Sequence, residues 1–252
     1  CLGFLSMRSK KFNYSDHLEN IEKPTSVVEN SMRKQAANLI PDEIEKLDYS
    51  DSEDKIHHAL QALSIFGEEK RFDFHSFSKE RWSLEHIYPQ NFEALPDILK
   101  SKDIQLINNL LGEKLDDIEK LKERLGKQFT MTRLNNIKKK LSKDSCKLEL
   151  DEKQFIYVAM KTDKLNSLGN LALLTSSDNS SNSNGMFDRK RNNIVKRIST
   201  GSFVPKHTYD VFSKLLSDQM TPDLTAWTEK DMSAHQDWII NKLTDIKARH
   251  LS

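Results

Sequence analysis

Three stretches of this chain carry side chains whose types and spacing could do chemistry. The first is WSLEHIYPQN, residues 82–91, where Glu85 and His86 stand side by side just ahead of a proline. The second is the run SSDNSSNSNG, residues 176–185, and the third is the basic MFDRKRNNIVKR that follows it. Taken singly, each has an ordinary structural reading: a half-buried histidine, a polar turn, a solvated helix face. Taken in order, they supply what metal-dependent phosphodiester hydrolysis requires. A neutral imidazole can take a proton from water, because its pKa lies near neutrality. A carboxylate and an Asn oxygen suit Mg²⁺ or Mn²⁺, hard cations that prefer oxygen ligands and keep several waters. Lys and Arg side chains on an adjoining helix can offset charge on a phosphate.

Such groups need elements to position them. Trp82, Leu84 and His86 alternate with Ser83, Glu85 and Ile87, which predicts a strand. LGNLALLT, residues 168–175, is short and apolar and predicts a second strand. The Ser/Asn run is then a loop, and the basic segment a helix. Elsewhere the spacing is helical. Ile56, Leu60 and Leu63 share a face that ends near Gly67. Ile104, Leu111, Ile118 and Leu125 recur every seven residues, with Gly112 interrupting the seam. TEKD, residues 228–231, is a capping-box pattern ahead of Met232, Ile239, Leu243 and Ile246. The fold expected is mainly α, with a small two-stranded antiparallel hairpin and a helix embedded in it. Residues 1–78 read as a helical subdomain, and residues 79–252 as the unit holding the motif, with a helical insertion at about 92–164.

Composition bounds the rest. The chain has 252 residues, with 31% charged, 37% hydrophobic and only 7 Gly and 6 Pro, which suits a helix-rich protein with a real core. Lys+Arg 39 against Asp+Glu 38 gives +1, so no global field draws in a polyanion and any nucleic-acid contact must be local. Cys1 and Cys146 make no disulfide framework, which points to a reduced, cytoplasmic setting. No apolar run approaches the roughly 20 residues needed to span a bilayer. The opening CLGFLSM, without an initiator Met, suggests a piece of a longer protein. The run RLNNIKKKLSK, residues 133–143, holds five basic residues and no acid, so Lys138 and Lys139 are candidate phosphate contacts.

LEHIYPQNF followed by LGNLALLTSSDNSSNSNGMFDRKR resembles the HNH (His-Me finger, ββα-metal) endonuclease motif. More narrowly, it resembles the C-terminal nuclease domain of GmrSD-type, modification-dependent restriction enzymes. The resemblance implies a metal-dependent DNA endonuclease in restriction or anti-phage defence. By position, His86 matches the general base and Glu85 the acidic metal ligand. Asn170 matches the central Asn, which ties down the loop after the first strand. Asn179, nine positions on, matches the residue that holds the metal from the start of the helix. Lys190 matches the basic position at a phosphate, with Arg189, Arg191 and Asn182 nearby. Where the family often has Arg, this chain has His235. The family's nucleotide-dependent N-terminal domain is not among these residues, so such a domain, or a partner subunit, is an implied partner. Two other readings stay open: a catalytically degenerate binding or assembly module, and a ribonuclease using the same site.

Overall fold

The computed structural model describes residues 25–67, 72–91, 95–175 and 186–251. Its centre is an antiparallel pair, β1 (Trp82–His86) and β4 (Leu171–Thr175), in the register Trp82↔Thr175, Leu84↔Leu173 and His86↔Leu171. The two strands are far apart in sequence. Around this pair the chain is mainly helical.

Alternation in β1 has a simple cause: Leu84 and His86 point inward, while Ser83 and Glu85 keep more exposure. All five residues of β4 are buried. Leu171 and Leu173 face one apolar cluster, and Ala172 and Leu174 face another. A strand covered on both faces reads as a continuous apolar run instead of an alternating one, which is why LALLT shows no period of two.

The first cluster joins helices α1 (Thr25–Asn38) and α2 (Tyr49–Phe66) to Leu84, to β4, and to Ile239, Leu243 and Ile246 of α10 (Glu229–Ile246). It therefore runs across residue 78 and into the strands. A short helix, α3 (Phe74–Ser78), leads into β1, with Phe77 stacked on Trp82. The second cluster holds Ile87, Tyr88 and Phe187 together with the segment between the strands.

That segment contains α4 (Ser101–Leu111), α5 (Ile118–Leu125), α6 (Met131–Leu141) and α7 (Leu150–Met160). The seven-residue seam is buried at Ile104, Leu111 and Leu125, but it is not one helix. Gly112 (φ 47) and Gly126 (φ 52) end α4 and α5 in a backbone region that side chains with a Cβ avoid. The insertion is also not wholly helical. β2 (Ile98–Lys100) and β3 (Ser145–Lys147) pair antiparallel and put Leu99 and Cys146 inside. After β4 come α8 (Phe187–Ser199) and α9 (Lys206–Ser213). Leu168–Asn170, expected within the strand, forms a 3-10 turn instead, and β4 starts at Leu171.

α10 begins with the capping box its sequence predicts. Thr228 Oγ1 accepts the Asp231 N–H at 3.3 Å, and Asp231 Oδ2 accepts the Thr228 N–H at 2.8 Å. Asp231 is fully buried, and it also accepts from Lys214 (2.9 Å) and Thr221. No helix of the described residues is long and apolar enough to cross a membrane.

Candidate active site

β1 ends at His86, and the chain turns there because Asn170 holds the next two residues. Its side-chain Oδ1 accepts the Tyr88 N–H at 2.8 Å, and its main-chain oxygen accepts the Ile87 N–H at 2.8 Å. Its Nδ2 donates to Leu165 O at 2.7 Å and to Tyr88 O at 3.4 Å. Asn170 has no exposed surface, so each polar atom must find a protein partner, and each does.

Lys190, in the first turns of α8, reaches the same place from the other side. Its ammonium donates to the His86 carbonyl and lies 3.5 Å from Glu85 Oε2. Burial pulls its pKa down, and the neighbouring Glu85 opposes that. The resemblance puts Lys190 at a phosphate. The side chain is 1% exposed and its ammonium is engaged with His86 and Glu85, which ties α8 to the end of β1.

His86 itself is 6% exposed. Burial brings its imidazole from 6.5 down to about 4; Asn166 and Asp48 pull the other way, and Lys190 adds to the fall. It is therefore neutral at pH 7, the form that can accept a proton. Its Nε2 is 3.3 Å from Asn166 Oδ1 and 3.1 Å from the Gln90 side-chain nitrogen. The Tyr49 ring meets it edge-on, with centroids 4.6 Å apart and planes at 78°. Burial, then Glu53 and Glu85, push the Tyr49 hydroxyl up.

Tyr49, Gln90 and Asn166 have no assigned role in the sequence reading. Gln90 stands in the quoted motif. Tyr49 lies in the acidic LDYSDSEDK run, and only the fold brings it here. Its N–H donates to Asn166 O at 3.0 Å, and Asp48 bridges to Ser167.

Other candidates fall in varied places. Asn179 and Asn182 lie outside the described residues. Arg189 is exposed on α8, and Arg191 is half-buried, its Nε without a hydrogen-bond partner among the described residues. The basic face of α6 is partly neutralised by acids from elsewhere: Lys138 pairs with Asp116 (2.7 Å), Lys140 with Glu152 (2.6 Å) and Arg133 with Asp151 (2.6 Å). Lys139 stays exposed. His235 is fully buried, 2.9 Å from Gly169 O through Nδ1 and 2.9 Å from His207 Nε2 through its own Nε2.

A carboxylate and an amide oxygen are hard oxygen donors of the kind a Mg²⁺-type ion takes. Among the described residues no three His, Cys, Asp or Glu side chains gather as a metal cluster. Glu85, with its side chain 12% exposed and 3.5 Å from the Lys190 ammonium, is the carboxylate that stands next to His86 in the strand. Mg²⁺ commonly takes one or two carboxylates and fills its other positions with water and substrate oxygens.

No curated protein and no solved structure matches this chain. Residues 29–242 match the family described as GmrSD restriction endonucleases, C-terminal domain. The match includes Tyr49, both strands of the central pair, Asn166 and α8, so the site and the elements around it lie within it. The chain belongs to the GmrSD restriction endonuclease C-terminal domain family.

Proposed function

We propose that this chain is a metal-dependent endonuclease of the HNH type that hydrolyses DNA phosphodiester bonds. The observation that carries the reading is the convergence at the end of β1. Glu85, a neutral His86, the Asn170 clamp and the Lys190 anchor meet there from positions up to 105 apart in sequence.

In this mechanism His86 takes a proton from a water in line with the scissile phosphorus. The water oxygen bonds to phosphorus as the bond to the 3′ oxygen breaks; a solvent water protonates the leaving oxygen, giving a 5′ phosphate and a 3′ hydroxyl. Glu85 and Asn179 would hold a Mg²⁺ or Mn²⁺ ion, which when bound supplies positive charge beside the phosphate. Asn170 keeps the strand end fixed, and Lys190 holds the His86 main chain and balances Glu85. Arg189 and Arg191, with Lys138 and Lys139 on α6, supply contacts to the nucleic-acid backbone. The role is restriction or anti-phage defence in the cytoplasm, with target choice made by a nucleotide-dependent domain or a partner subunit. A net charge of +1 suits a catalytic unit whose DNA affinity comes from such a partner.

One observation favours a second reading. His86 has only 6% exposure, which a catalytically degenerate binding module would tolerate and an active base must overcome. The deciding assay compares wild type with His86→Ala on plasmid, phage and modified DNA and on RNA, in Mg²⁺ or Mn²⁺ and then in EDTA. Metal-dependent DNA cutting that His86→Ala abolishes, with the fold intact by circular dichroism, supports the reading. Cutting of RNA alone would make it a ribonuclease. Cutting that survives His86→Ala would remove the proposed base.

A further inference from the structure

A neutral imidazole carries one proton, and the nitrogen without it is the one that can act as a base. Two side-chain amides meet His86 at the same nitrogen, Nε2: Asn166 Oδ1 at 3.3 Å and the Gln90 amide nitrogen at 3.1 Å. The two cannot both be served. If Nε2 carries hydrogen it donates to Asn166 and cannot accept from Gln90. A half-turn of one amide, which exchanges its oxygen and nitrogen, removes the conflict.

The surroundings of the two amides differ. Asn166 is half-buried, and its main-chain oxygen accepts the Tyr49 N–H at 3.0 Å. It lies in the turn whose preceding carbonyl, Leu165 O, is held by Asn170 Nδ2 at 2.7 Å. Gln90 is exposed; apart from the contact of its amide with His86, its main-chain oxygen accepts from the Tyr157 hydroxyl. Asn166 is thus the fixed partner and Gln90 the adaptable one. The Tyr49 ring also meets the imidazole edge-on.

We propose that Asn166, seated by Tyr49, is the positioning residue that fixes the His86 ring and its tautomer. Its Oδ1 accepts the Nε2–H, and Gln90 turns its own oxygen to the same hydrogen. The lone pair is left on Nδ1, which becomes the atom that receives the proton from water. A base oriented through its other nitrogen by an acceptor is a recurrent arrangement in proton transfer. Here the acceptor is a neutral amide from the turn before β4, and the group that seats it comes from the first turn of α2. The catalytic part of this inference rests on His86 being the base; the tautomer assignment does not.

The test uses the whole chain. Nitrogen-15 NMR of the His86 ring, without DNA and at pH 7.5, should show the Nε2–H tautomer in wild type. Asn166→Ala should convert it to a mixture or to Nδ1–H, while Asn166→Asp, which keeps an acceptor oxygen, should restore it. In cutting assays Asn166→Ala should lower kcat by about 10- to 100-fold with KM little changed, the size of loss seen when an orienting outer-shell partner is removed, and Asn166→Asp should recover most of that. Tyr49→Phe, which keeps the ring edge, should behave as wild type, and Tyr49→Ala should lose rate. An Nδ1–H tautomer in wild type, or a tautomer unmoved by Asn166→Ala, overturns the inference. If wild type cuts nothing, the site is either degenerate or dependent on the domain or partner that chooses the target, and the NMR result still decides the role of Asn166.

Discussion

The side-chain oxygen of Asn170 accepts the main-chain N–H of Tyr88 at 2.8 Å, across 82 residues of sequence. The bond closes the loop that begins at His86. Removing it should be costly, because the Tyr88 N–H is buried and has no water to turn to. Asn170→Ala is expected to destabilise the protein by about 2–4 kcal/mol, since several bonds end on that one amide. Urea unfolding monitored by circular dichroism measures this; a loss under about 1 kcal/mol would mean the loop is held by something else.

The Lys190–Glu85 pair at 3.5 Å gives a second expectation. Lys190→Met removes the ammonium and leaves a mostly buried carboxylate and the His86 carbonyl without it. The expected cost is about 3 kcal/mol. Adding Glu85→Gln to the Lys190→Met background should recover part of that, because the carboxylate charge that faced the ammonium is gone. A double-mutant cycle on unfolding free energies reads the coupling, and strictly additive effects would rule it out.

Acid should weaken the fold through its histidines. Burial brings His86 and His235 from 6.5 to about 4, and burial, then His235 and Lys206, hold His207 well below its ordinary value. Each group is depressed in the folded state, so as pH falls below 6.5 the unfolded chain binds protons that the folded chain refuses. Stability is therefore complete above about 6.5 and falls between 6.5 and 4, by something like 3 kcal/mol for each group brought to 4. Melting temperatures from pH 8 to pH 4 should show that decline, and a stable His235→Gln variant should show a shallower one. A flat profile across the window would mean these rings take up protons in the folded protein as readily as in the unfolded chain.

The elements around the site were largely legible because their signals are local. The Leu84–His86 alternation, the apolar run of β4 and the TEKD cap are each written within a few consecutive residues. β2 and β3 were not legible, since three residues are too few to establish a period. Gly112 showed as an interruption of the heptad seam, but its positive φ, which ends α4, belongs to the folded backbone. Within the site, Glu85 and His86 stand adjacent in sequence and could be picked out together. Tyr49 and Asn166 could not. Tyr49 sits in an acidic run and Asn166 in a polar turn, and their meeting at His86 is created by the docking of α2 against the turn before β4. The burial of Lys190 was hidden for the same reason, because a basic helix does not say which of its cations turns inward.

β4 is walled in on both sides: Leu171 and Leu173 answer to one core, Ala172 and Leu174 to the other. Four consecutive positions are therefore subject to two independent packing requirements. A polar replacement at any of them would disturb the strand that faces Glu85 and His86, however far that position lies from the imidazole. An added residue would be worse, exchanging every side chain between the two interiors at once. Variation in length among related chains should accordingly collect between β1 and β4, where helices can be lengthened or exchanged, and stop short of the strand itself.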